Sequence, residues 1–180
     1  MKLETVTVLA CRKTMFSDEY GNKVSTKSAE AADFYIKGTH QFLGAEPGVE
    51  NSFRSSIEWD PKFALAHIGY AREMQLRGRY ADMRQSLNLA IKYSGSLSER
   101  EQSHINVSSL LLRGKSVEAR LAVYEHVRHW PRDVLIAQMC TSVFGLIGFL
   151  FQRNVFSSVF HWSFVLEMIC CLCDNLAKKY

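Results

Sequence analysis

A strong charge of either sign is missing from this chain. Its 22 Lys and Arg against 18 Asp and Glu leave a net charge of +4. That near-balance excludes the dense basic face by which a domain grips a nucleic-acid backbone. The signatures of common catalytic chemistry are missing too. There is no Gly-x-x-x-x-Gly-Lys-Ser/Thr loop, no Gly-x-Gly-x-x-Gly, no His-Glu-x-x-His and no Gly-x-Ser-x-Gly. A disulfide framework is missing as well. Five cysteines is an odd number, and Cys170, Cys171 and Cys173 crowd together near the C-terminus. Reduced thiols and a cytoplasmic setting are therefore expected. The opening MKLETVTVLACRK has only a brief apolar run, with Lys2 and Glu4 beside it, and does not read as a signal peptide.

What is present is helix-forming sequence with regular punctuation. Residues 1–26 carry turn chemistry (Ser17, Asp18, Gly21, Asn22, Ser25, Thr26) and are expected to be irregular. Thr26 or Ser28 is placed to cap a first helix through Ala29, Ala31, Ala32, Phe34 and Tyr35. After the Gly44-Ala-Glu-Pro-Gly48 break, a second helix is expected over 49–59 with Phe53, Ser56 and Ile57 on one face. Asp60-Pro61 then reads as a helix start, Asp accepting free amides and Pro occupying the first helical position, so a third helix is predicted over 61–76. Gly78 breaks it. Met83, Leu87, Ala90 and Ile91 make an amphipathic stripe over 80–93. Ser98-Glu-Arg-Glu101 is a capping box for a helix ending near Leu112. Gly114 breaks the chain again. Val117, Leu121, Val123, Tyr124 and Val127 supply the apolar positions of the next helix, which stops before Pro131.

These breaks recur. Pro61 and Pro131 are 70 residues apart, Gly78 and Gly114 are 36 apart, and Gly44 lies 34 before Gly78. A helix-turn-helix unit of about 34 residues is the period of a tetratricopeptide array. The expected fold is all-α, a tetratricopeptide-like α-α solenoid of about three units plus an apolar C-terminal helical segment. Ala71, Gly78, Leu87 and Ala90 take the small, glycine, large and small positions of unit two; Gly114, Ala119, Val123 and Pro131 match in unit three. His126 stands where a small residue is usual. Ala64, Ala66, Gly69 and Ala71 are small enough to let helices approach closely.

Five segments carry a resemblance. They are Gly21-Asn-Lys-Val-Ser-Thr26 with Glu30-Ala-Ala32, Asp60-Pro-Lys-Phe-Ala-Leu-Ala-His67, Glu99-Arg-Glu-Gln-Ser-His104, His129-Trp-Pro-Arg-Asp133 and Phe144-Gly-Leu-Ile-Gly-Phe149. In that order, over residues 17–153, the chain resembles the tetratricopeptide repeat protein 38 family. The resemblance implies an all-helical repeat fold and an intracellular protein of poorly defined role. It also implies several further helical units, with a His-x-x-Ala-His-x-x-Glu helix that has no match here. After Arg153 the resemblance stops. Three regions follow: an N-terminal segment 1–26, helical repeats 27–153, and a divergent apolar tail 154–180, read as the mark of a truncated or alternative form.

The candidate chemistry is thin. Glu101 and His104 share a helix face, but Glu101 has a capping role and no second copy of the pair exists. His126 and His129 have ligand spacing without an assignable third ligand, so a solvated helix face is expected. Arg72, Arg77, Arg79 and Arg84 read as a salt-bridged surface. Cys170-x-x-Cys173 lacks the context of a redox motif. No catalytic residue, metal or cofactor is expected. The expected function is a protein-interaction scaffold that binds a peptide or helix of a partner protein. Its consensus phase places Tyr35, Thr39, Arg72, Gln75, His104 and Ser108 on the concave face, as the partner-binding residues.

Two alternatives accompany that reading. One is a fragment of a helical enzyme lacking its histidine-rich helix. The other is a membrane-anchored adaptor, because 134–152 is uncharged and 155–173 is broken only by His161 and Glu167. Glu167 opposes insertion, and Gly145 and Gly148 suit a packed repeat helix. Without partner units, the tail is expected to promote self-association.

Overall fold

A serine starts the first helix. The Ser28 hydroxyl accepts the Ala31 amide at 3.0 Å, relieving one of the unpaired donors of a helix N-terminus, and α1 runs Ala29–Leu43. The computed structural model describes residues 16–139. Beyond α1 it contains α2 (Val49–Trp59), α3 (Ala64–Leu76), α4 (Tyr80–Lys92), α5 (Glu99–Leu112) and α6 (Ser116–His129), with residues 134–139 again helical. The architecture is mainly helical and belongs to the all-α class. No helix among the described residues is long and apolar enough to cross a membrane. The tail expectations, and the boundary after Arg153, lie outside the described residues.

The two glycine breaks are the same structure. Gly78 has φ +72° and Gly114 φ +73°, the left-handed region that a side chain disfavours. Gly78 donates to the Gln75 carbonyl and Arg79 to that of Met74, at 3.0 and 2.9 Å; Gly114 and Lys115 do the same to Leu111 and Leu110 at the same distances. Each closes a helix by satisfying its last carbonyls, the Schellman arrangement.

Two expectations need correction. Asp60-Pro61 does not open α3. Asp60 ends α2, Pro61 and Lys62 form a turn, and α3 begins at Ala64. The Asp60 carboxylate is used inside the turn, accepting the Lys62 amide at 3.1 Å and the Thr26 hydroxyl at 2.6 Å, so it is not free to cap α3. The turn recurs at 130–133: Phe63 donates to the Asp60 carbonyl at 3.0 Å and Asp133 to that of Trp130 at 3.1 Å. Nor is the whole N-terminal segment irregular. Phe16–Ser17 (β1) and Lys23–Val24 (β2) pair antiparallel, with Phe16 opposite Val24. Asp18 holds the connection by accepting the Tyr20 and Asn22 amides at 3.0 and 2.7 Å.

Helices pair in chain order: α1 with α2, α3 with α4, α5 with α6. Each second helix buries a triad spaced i, i+4, i+7. The triads are Val49, Phe53, Ser56; Met83, Leu87, Ala90; and Ala119, Val123, His126. This corrects the expected face of α6, where Val123 is buried but Val117, Leu121 and Tyr124 are exposed. The central helix is α3, which packs on α1, α2, α4 and α5 and is buried on almost every side. Phe53 is the wedge at this centre. A β-carbon built on Gly69 would stand 2.5 Å from the Phe53 ring, and one on Gly38 at 3.0 Å. The ring therefore sits between α1 and α3 only because both positions lack a side chain. Val107, Leu111, Ala119, Val123, Ile136 and Met139 form a second cluster joining α5, α6 and residues 134–139.

Gly69→Ala improves intrinsic helix propensity by about 1 kcal/mol. It also drives a methyl into a fixed ring, an overpacking cost of roughly 1–3 kcal/mol. The clash is expected to win. Chemical denaturation of the variant is expected to show a lower midpoint than the parent; an equal or higher midpoint would show that the ring can move aside.

Candidate functional site

The most concentrated chemistry among the described residues surrounds Asp133. It sits at the end of the second Pro turn, 4% exposed. Arg100 on α5 donates through Nη1 to its Oδ2 at 2.6 Å. His104, one turn further along α5, donates from Nδ1 at 2.9 Å to Oδ2 and 3.1 Å to Oδ1. His126 on α6 faces Oδ2 with Nε2 at 3.2 Å, an ion-pair distance without a formed hydrogen bond. Its Nδ1 lies 2.8 Å from the Ser103 hydroxyl. The bonding pattern assigns His126 the Nε2–H tautomer and His104 the Nδ1–H tautomer. Both rings are fully buried.

The electrostatics follow from these contacts. Burial pushes the Asp133 carboxyl up, and the contacts with His104, His126 and Arg100 more than reverse it, holding the group well below its ordinary 3.8. Burial pushes His126 below its ordinary 6.5, against the pull of Asp133. Burial does the same to His67, whose Nε2–H donates to the Pro61 carbonyl at 3.0 Å. Tyr35 is raised, by burial first and by the charge of Asp133 second.

The N-terminal hairpin is tied to this site. Arg100 also donates to the Lys23 carbonyl at 2.7 Å, and Asn22 donates to that of Arg132 at 2.9 Å. Ser25 donates to Glu101 twice, from its amide at 2.8 Å and its hydroxyl at 2.6 Å. Glu101 thus has two tasks, because it also completes the capping box with Ser98.

Of the six residues expected on an open concave face, five are covered. Tyr35, Thr39, Arg72, His104 and Ser108 are each 7% exposed or less, and only Gln75 is partly open. Tyr35 packs edge-on to Phe63, ring centres 5.1 Å apart. Arg72 is hydrogen-bonded to Gln75. Ser108 reaches the Met139 sulfur at 3.6 Å. The inner helices meet one another, and Leu135 and Met139 close over them. What remains there is a cavity of about 10 Å³ lined by Phe42, Phe53, Arg72, Leu135 and Met139, no larger than one water needs.

Other expectations divide. Arg77 and Arg79 are salt-bridged as expected, to Glu73 at 2.6 Å and to Glu50 and Asp82 at 2.8 and 2.7 Å, whereas Arg72 is buried. His126 corrects the expected solvated face: it is buried and aimed at Asp133, while His129 stays exposed. Asp133 and Arg100 were not legible as partners. The only signal was an aspartate two residues after a proline, matched with a basic residue 33 positions earlier. No group of three or more His, Cys, Asp or Glu among the described residues is arranged to hold a metal. Comparison with known proteins adds no relative: no family model, no curated protein and no solved structure matches the chain.

Stability is expected to fall in acid, beginning near neutrality. His126 and His67 have folded pKa values below the ordinary 6.5, so as pH drops through 6.5 the unfolded chain takes up protons that the folded chain does not. Asp133 acts lower. Its contribution is complete above 3.8 and is lost as pH falls from there toward its depressed folded value. Urea midpoints measured from weakly alkaline to acid pH check this, and His126→Gln is expected to flatten the step near 6.5. Asp133→Ala leaves Arg100 and His104 buried without their carboxylate partner and is expected to cost about 3–5 kcal/mol, read from the same curves.

Proposed function

We propose that this chain is a tetratricopeptide-like α-α solenoid serving as a protein-interaction scaffold, of the tetratricopeptide repeat protein 38 family. One observation carries the repeat reading. The three second helices bury the same triad, at 49/53/56, 83/87/90 and 119/123/126, with matching glycine turns before the last two. The family reading rests on the sequence resemblance; four of its segments, 21–26, 60–67, 99–104 and 129–133, meet through Asp60, Arg100, Glu101 and Asp133.

A scaffold needs an accessible apolar surface, and the covered inner face is a poor one. Binding at the rim of the solenoid fits better. Leu76 and Tyr80 are 60% and 56% exposed on either side of the Gly78 turn, beside Gln75. Aromatic and aliphatic anchors of this kind supply most of the binding energy at interfaces. A peptide or helix of a partner protein would lie across this rim.

A second reading has its own observation. The His104 Nε2 is buried without a hydrogen-bond partner while Asp133 fixes Nδ1. That is how a histidine is set to act as a base or a metal ligand. In this form the ring is sealed, so the reading is of an inactive fragment of a helical enzyme. Stoichiometric metal in the purified chain, lost in His104→Gln, would favour it.

The scaffold reading is tested by selecting peptides from a displayed library on the full chain and measuring their affinities by fluorescence anisotropy. Leu76→Ala and Tyr80→Ala are each expected to weaken binding about tenfold, the scale of a modest interface anchor, with unchanged thermal unfolding. Selected peptides indifferent to both changes would remove the rim as the site. Failure to select any peptide would remove the scaffold reading.

A further inference from the structure

The hairpin is held to the helices as a ligand is held to a site. Around Val24 the helices grip the main chain. Arg100 Nη2 donates to the Lys23 carbonyl at 2.7 Å, and the Ser25 amide donates to Glu101 Oε1 at 2.8 Å. Val24, between them, is 1% exposed. On either side the contacts are to side chains. The Ser25 hydroxyl donates to Glu101 Oε2 at 2.6 Å, the Thr26 hydroxyl to Asp60 Oδ2 at 2.6 Å, and the Asn22 side-chain amide to the Arg132 carbonyl at 2.9 Å. In the recognition of extended peptides, main-chain bonds supply affinity and side-chain pockets supply specificity.

Each side chain that grips this segment is also held from within the helical body. Arg100 Nη1 donates to Asp133 at 2.6 Å, Glu101 accepts the Ser98 amide and hydroxyl at 3.2 and 2.8 Å, and Asp60 accepts the Lys62 amide through Oδ1 at 3.1 Å. These bonds hold the gripping groups in position whether or not residues 22–26 are docked. Helix α1, which follows the segment, is fixed independently too: Ser28 caps its first turn, and the Ser56 hydroxyl of α2 donates to the Ala31 carbonyl at 2.6 Å. The hairpin has its own internal order, Asp18 accepting the Asn22 amide and side chain at 2.7 and 2.9 Å. Its ladder is only two residue pairs, too little to hold a strand in place unaided. When site and segment are each ordered beforehand, docking carries little ordering cost.

We propose that Arg100, Glu101 and Asp60 form a docking site for an extended peptide segment, occupied in this structure by residues 22–26 of the same chain as an autoinhibitory strap. The outside ligand it fits is an extended segment of a partner protein with a small branched aliphatic residue followed by two hydroxyl residues, the chemistry of Val24-Ser25-Thr26. The site is separate from the rim at Leu76 and Tyr80 and does not depend on it. A tethered strap presents itself at an effective concentration on the order of millimolar. A partner segment therefore enters only when the strap lifts, by rotation at the exposed Lys27 between the strap and the α1 cap.

A fluorescently labelled peptide of residues 16–26, titrated with the full chain, tests this. The parent chain is expected to bind it weakly. Ser25→Pro in the chain removes the amide and the hydroxyl that Glu101 accepts, and leaves the gripping side chains untouched. This variant is expected to bind the peptide about tenfold more tightly than the parent, its own strap having lost part of its hold. The same peptide carrying Val24→Asp is expected to bind neither chain. Equal binding to parent and variant, or none, overturns the proposal. So does a gain that Tyr80→Ala removes, which would belong to the rim. Hydrogen exchange of the unaltered full chain is the second measurement. The Ser25 amide is expected to exchange at least about tenfold faster than the amides of α3, by local opening. Exchange of both at one rate would mean that the strap leaves only when the whole chain unfolds, and overturns the proposal whether or not Ser25→Pro folds.

Discussion

A carboxylate withdrawn from water must find partners: Arg100 and His104 donate to Asp133, and His126 faces it at ion-pair distance. That single requirement organises much of the molecule. Arg100 and His104 fix the rotation of α5 about its axis, and His126 fixes that of α6. Arg100 has donors left over and uses one on the Lys23 carbonyl, so the hairpin is drawn to the same point. The apolar clusters supply the bulk of the burial. They are tolerant of small rotations, because apolar contact has no direction. The buried polar cluster is not tolerant, since each of its bonds has a required geometry. Packing brings these helices together, and Asp133 decides how they sit.

The inner face shows a second constraint. Small residues on α3 and the two glycines under Phe53 allow the inner helices to come close. Close approach lets Phe53 fill the space between α1 and α3. Among the described residues it also leaves no open groove between the inner helices, only the small cavity beside Arg72. The covered ring of Tyr35 and the filled space around Arg72 are results of that approach, not separate features.

Much of this was legible in the chain. Helix positions followed from apolar spacing, the Ser98–Glu101 capping box and the glycine turns, because each depends on neighbours within a few residues. The Asp60-Pro61 turn was misread as a helix start because aspartate has a competing use there: Thr26, 34 residues earlier, takes the carboxylate. The face of α6 was misread for a related reason. Its period has two candidate faces, one of them lined by Val117, Leu121 and Tyr124, and the chain buries the other. A histidine at a small-residue position looks like a surface group until Asp133 arrives from beyond the next turn. Local signals were readable and long-range pairings were not, since a single chain does not record which distant groups meet.

The hairpin's partners lie far along the chain. Asn22 bonds to Arg132, 110 residues later, and Ser25 to Glu101, 76 residues later. During synthesis the hairpin is made well before these anchors. At about 5–20 residues per second it waits roughly 5–20 s before Arg132 exists. Through that interval Phe16 and Val24 can already meet the part of their cluster that α1–α4 supply, while the bond to Arg132 cannot yet form. Among the described residues the strand pair is thus made before every helix from α1 to α6, yet its bond to Arg132 can close only after α6 exists.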